Sequence, residues 1–160
     1  MKIIVHSYSI NERKKRYIKS KVEKYIKLLR FSKIMDGHTL TVKVLKKGYL
    51  LDSNTEDAIY ILPLARRKNS PLNKEHTIII NNKIVSSREK LLRALIHELI
   101  HLRQYVKRKL IYLRPKTSFE TFAVWSKKSL GAVDSISYWK QPWEVEAMRL
   151  EEKYWKEKKL

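Results

Sequence analysis

The sequence predicts an α+β fold, with a small, mostly antiparallel twisted sheet set among an N-terminal helix, a long middle helix and a C-terminal helix. Three observations predict it. Apolar residues recur at three- and four-residue spacing in residues 11–30, 86–107 and 142–160. TLTVKVLKK (39–47) alternates apolar with polar, while AIYILPL (58–64) and TIIINNKIV (77–85) are short β-branched runs. A chain of 160 residues that is 43% hydrophobic fills one core and would be cramped as two, and no repeat or linker divides it. Residues 1–160 are therefore read as a single domain.

In chain order, MKIIVHSYSI opens as a short strand. Asn11 is placed to cap a helix over 11–30, whose stripe is Tyr17, Ile18, Val22, Tyr25, Ile26 and Leu29. Asp36-Gly37 marks a turn into the strand at 39–47. Pro63 ends the next strand or confines it to an edge, because it cannot donate to a ladder. The basic loop ARRKNSPLNKEH then leads into the strand at 77–85, which gives a helix and three to four strands in meander order. Ser86 and Glu89 have the spacing of a capping box, and a helix follows to about Lys107, with Pro115 beyond its end. In 117–140, TFAVW and the Gly131 region predict a hairpin. Pro142 suits the first position of a last helix, striped by Trp143, Ala147, Leu150 and Tyr154.

Composition narrows the chemistry. With no cysteine there is no disulfide and no thiolate metal site. No apolar run approaches the roughly 18–20 residues of a membrane span, and MKIIVHSYSI is too short for a signal core, so the expected setting is the cytoplasm. A formal charge of +20 calls for polyanionic company, with nucleic acid as the partner class. The basic residues crowd the first helix (Lys14, Lys15, Arg16, Lys19, Lys21, Lys24, Lys27) and the loop at Arg66, Arg67 and Lys68.

The segment RALIHELIHLRQY (93–105) carries the sharpest signal. His97 and His101 stand four apart, one above the other on a helix, and both imidazoles can reach a single zinc. With His97 at zero, His101 falls at about 40°, whereas Leu92, Leu95, Leu99, Leu102 and Val106 cluster near 180°. The pair thus points away from the leucine stripe, with Arg93, Gln104 and Arg108 on its side. Glu98 lies too far round the helix to share the ion, but it is placed to take a proton from water. A catalytic zinc needs a third protein ligand. Lys107 stands where an extended motif would place a histidine, and His6, His38 and His76 read as ordinary surface or strand residues. The acids downstream are Glu120, Asp134, Glu144 and Glu146, of which the two in PWEVEA begin a helix. Tyr138 is the candidate for stabilising a transition state, ahead of Tyr105 and Gln104. The strand TIIINNKIV, placed at a sheet edge, would pair an extended substrate.

HELIH followed by a glutamate on a second helix resembles the gluzincin zinc metallopeptidases. HELIHLRQY with YWKQPWEVEA resembles more closely the small metallopeptidase-like proteins of bacteriophage and bacterial genomes, over about residues 76–152. The resemblance implies a minimal zincin-like domain acting on a protein or peptide substrate, in a host's cytoplasm if phage-encoded. It also implies zinc held by His97, His101 and Glu144, with Glu98 as general base. Glu144 is preferred to Glu146 because Ala147 follows it by three, as in several gluzincin groups. The acidic residue that often follows that alanine is replaced by Met148, which leaves the support of the metal ligands unassigned.

Overall fold

Asn11 starts the first helix as the sequence predicts: its side chain accepts from the Lys14 amide at 2.9 Å. In the computed structural model, which describes residues 1–45 and 57–157, strand β1 (Lys2–His6) precedes this helix, α1 (Glu12–Leu28), and strand β2 (Thr39–Leu45) follows it. Residues 46 and 47, the end of the strand read at 39–47, lie outside the described residues. Gly37 takes a φ of 71° in the turn before β2, a conformation open to glycine at little cost.

The first sheet departs from the meander. Its order is β1-β2-β5-β3, where β3 is Ala58–Ile61 and β5 is Glu75–Asn81, and a two-residue strand β4 (Leu64–Ala65) lies between them in sequence. β1, β2 and β5 are parallel and only β3 runs antiparallel, so the expectation of a mostly antiparallel sheet is corrected. The chain returns from β1 to β2 through α1, and such a crossover makes neighbours parallel where a tight hairpin would make them antiparallel. β5 is also interior, not an edge; the edge beside it is β3. Pro63 follows β3 directly, in keeping with that edge.

Alternation along β2 buries Leu40, Val42 and Val44 on one face, and β5 adds Ile78 and Ile80. Onto that face pack Ile18, Val22 and Ile26 of α1 and the leucine stripe of α2 (Arg88–Val106). Leu95 and Leu99 are fully buried there, and each such side chain contributes roughly 1.5–3 kcal/mol. The α2 cap is Ser87, whose hydroxyl accepts from the Lys90 amide, one residue past the predicted Ser86. Glu89 lies within 3.9 Å of Arg93 instead of closing a capping box.

After α2 a second sheet forms in the order β4-β6-β7-β8, with β6 at Leu110–Leu113, β7 at Phe122–Trp125 and β8 at Lys128–Ala132. The hairpin in 117–140 is present, but it turns at Ser126 and Lys127, both at positive φ, and Gly131 lies within β8 beside an irregularity in register. α3 (Pro142–Lys156) closes the fold, with Pro142 at its start and Trp143 and Ala147 buried. The architecture is α+β, with three α-helices and two small mixed sheets among the described residues. No described helix is long and apolar enough to cross a membrane.

Two histidines read as ordinary prove to be partners. His6 is exposed, but His38 and His76 are buried and stacked, with 2.9 Å between His38 Nδ1 and His76 Nε2. The Tyr60 hydroxyl lies 3.0 Å from His76 Nδ1. Burial, with His38 beside it, lowers the His76 pKa to about 4. Below the ordinary imidazole value of about 6.5, the unfolded chain therefore takes up a proton that the folded chain refuses. Stability should fall as pH drops from about 6.5 to about 4, by roughly 2–3 kcal/mol, and level off below. Urea unfolding in the presence of chelator checks this: His76→Gln should flatten the slope in that window. Equal slopes in parent and variant would mean that His76 is not held neutral.

Candidate metal centre

α3 lies across the face of α2 opposite the leucine stripe, and this decides what the histidines meet. His97 and His101 rise from α2 one turn apart, and Pro142 starts α3 so that Glu144, in its first turn, faces them. The Nε2 atoms of His97 and His101 are 3.1 Å apart. Glu144 places Oε2 3.3 Å from His97 Nε2 and Oε1 3.3 Å from His101 Nε2. Two ligands each about 2.0–2.1 Å from a tetrahedral zinc stand roughly 3.3 Å apart, so this triangle has the dimensions of one face of such a site.

The far side of each ring is also engaged. His97 Nδ1 is 3.1 Å from Glu151 Oε2, and His101 Nδ1 is 2.9 Å from Gln104 Oε1. Each partner accepts from a protonated Nδ1, which leaves both Nε2 lone pairs directed at the centre. Arg93 fixes Glu151 through a 2.6 Å contact, and the Gln104 amide donates to the Trp143 carbonyl and to Glu146, each at 3.0 Å. The support that Met148 does not supply thus comes from Glu151, two turns beyond Glu144 on α3, and from Gln104.

The electrostatics favour a cation here. Burial opposes charge on His97, but hydrogen bonds to Glu144 and Glu151 and the nearby Glu98 outweigh it and raise its pKa to about 10. Burial would likewise raise the Glu144 carboxyl, yet His101, His97 and Tyr138 hold it well below the carboxylate range. Carboxylates converging on buried imidazoles at these distances need positive charge among them. His97, His101 and Glu144 form a buried group that can hold a metal ion.

No protein-family model, curated protein or solved structure matches this chain. Its chemistry is therefore read from its own residues.

Glu98 lies outside the ligand triangle. It is buried, and its Oε2 accepts from the backbone amide of Tyr60 on β3 at 2.6 Å. Burial pushes its carboxyl up, partly offset by His101, His97 and that amide. Tyr138, in a short helical turn at Tyr138–Lys140, donates to Glu144 Oε2 at 2.7 Å. Glu146 faces away from the triangle and pairs with Lys109. Glu120 is exposed, and Asp134 lies in the short turn after β8. Two cavities meet at the centre. One of about 400 Å³ touches His97, Glu98, His101 and Glu144 below β3. The other, of about 570 Å³, runs past His97 and Glu98 to Tyr138 and Trp139. Tyr105, a weaker candidate, is spent elsewhere: its hydroxyl accepts from the Asn73 amide.

Two supporting residues escaped the sequence reading in these roles. Gln104 is three residues after His101 and on its side of the helix, a spacing that marks neighbours. Glu151 is seven after Glu144, which returns it to the same face of α3. Both signals are present in the sequence once the two helices are known to touch.

Proposed function

We propose that this chain is a zinc-dependent peptidase of the gluzincin type on a minimal zincin-like domain, with His97, His101 and Glu144 as ligands and Glu98 as general base. The observation that carries the reading is the triangle of 3.1–3.3 Å between donor atoms, with a buried carboxylate next to it that is not a ligand. When bound, zinc supplies Lewis acidity toward a carbonyl oxygen and toward water.

The chain's own residues account for the rest. The Tyr60 amide pins Glu98 Oε2, so Glu98 receives a proton from the attacking water at Oε1 and passes it to the leaving amine. Tyr138, half-exposed beside Glu144, donates its hydroxyl hydrogen to the carbonyl oxygen as negative charge develops there. Glu151 and Gln104 hold the two imidazoles in one tautomer. The substrate is a protein or peptide in extended form. Because the Tyr60 amide turns from β5 toward Glu98, β3 and not β5 offers its free edge to that substrate. A structural zinc site is closed by four protein ligands, whereas here three donors border open cavities, which favours catalysis over a purely structural ion.

The test is hydrolysis of β-casein by the purified chain carrying one zinc equivalent. Chelation should abolish cleavage, and added zinc should restore it. A chain that binds zinc tightly but leaves casein intact, or cleaves it equally after chelation, would remove the peptidase reading.

A further inference from the structure

A second cavity of about 610 Å³ lies between the start of α1 and the start of α2, lined by Ser9, Asn11, Arg13, Lys14, Tyr17 and Arg88. Its charge is one-sided. α1 carries eight lysines and arginines against two acids, and the first residue of α2 adds Arg88. Lys21 is close enough to Lys24 and Arg88 for their charges to lower its pKa, after the larger effect of burial. Among the described residues, Arg13, Lys14, Lys21 and Arg88 form no ion pair with an acid. The contrast with the metal side is sharp, since Arg93 alone meets Glu89, Glu151 and Glu152 there. Like charges gathered from two helices without a carboxylate cost stability unless an anion joins them.

Aromatic groups accompany the cations. Lys14 and Lys21 lie 5.5 and 5.7 Å from the centre of the Tyr17 ring. Tyr8, just before Ser9 at the cavity, is fully exposed. A phosphate-sized anion meets arginine there, with the positive end of α1 adding to the field. An exposed aromatic beside a basic groove is the arrangement on which unpaired bases stack. We propose that this cavity binds the phosphodiester backbone of a single-stranded nucleic acid, with Arg13, Lys14 and Arg88 on phosphate and Tyr8 under a base.

Fluorescence anisotropy of a labelled 20-nucleotide DNA strand with the full chain tests this. Arg13→Glu with Arg88→Glu should weaken binding at least about tenfold and reduce the slope of log affinity against log salt by about two, one per lost phosphate contact. Lys33→Glu with Lys116→Glu changes net charge equally at exposed positions away from the cavity and should weaken binding less than threefold. Arg13→Gln with Arg88→Gln should act in the same direction as the reversal, which guards against unfolding by added acids. Tyr8→Ala should weaken binding severalfold with the slope unchanged. Equal weakening by the two charge-reversal pairs would reduce the effect to net charge and overturn the site. Binding to phosphatidylserine vesicles without binding to the oligonucleotide would also overturn it. Neither arginine is a metal ligand, so this outcome is independent of the peptidase reading.

Discussion

Glu98→Gln should lower kcat for casein hydrolysis by about 10²–10⁴-fold, the usual contribution of a general base, while the chain keeps one zinc. Glutamine matches the carboxylate in size, and its carbonyl oxygen can still accept from the Tyr60 amide. What it cannot do is take a proton from water. His97, His101 and Glu144 are untouched, so metal content, measured by atomic absorption after dialysis, should equal that of the parent. The loss should fall on kcat with KM little changed, because the missing interaction forms only as the reaction proceeds. Replacing a buried carboxyl by a neutral amide also removes a desolvation cost, so the variant should melt no lower than the parent. Parental turnover in a zinc-loaded variant would mean that another group takes the proton.

The parts legible in the sequence share one property: their signals are local. Asn11, the stripe from Ile18 to Leu29, the leucines of α2 and Pro142 act within one or two helical turns, and all three helices stand where periodicity placed them. His97 and His101 were legible for the same reason. Sheet order was not, since β1 and β2 become parallel neighbours through a helix and no residue within either strand records that choice. His38 and His76 show the limit well. Each is unremarkable in its own segment, and they meet only because β2 and β5 pair in register, with Leu40 opposite His76. Glu151 depends on the same kind of information, for its partner lies 54 residues away on another helix. Local chemistry thus named the ligands, while tertiary packing chose what supports them.

The choice between Glu144 and Glu146 lies between these extremes and yields the second large effect. Residues two apart on a helix point about 200° apart, so only one of the two can face α2's histidines. The structure puts Glu144 there and turns Glu146 toward Lys109, whose charge, with Gln104, holds that carboxyl low against burial. Glu144→Ala removes one of three donors and should weaken zinc binding far more than the roughly 10–100-fold typical of a lost supporting contact. Glu146→Ala should stay within that smaller range. Gln104 would lose one partner but keep the Trp143 carbonyl, and so would still accept from His101 Nδ1. Competition against a chromophoric chelator at fixed pH separates the two cases, and the order of affinities should be parent, Glu146→Ala, Glu144→Ala. The reverse order would mean that Glu146 reaches the ion in place of Glu144. α3 would then have to rotate by about half a turn, which would carry Trp143 and Ala147 out of the core they now fill.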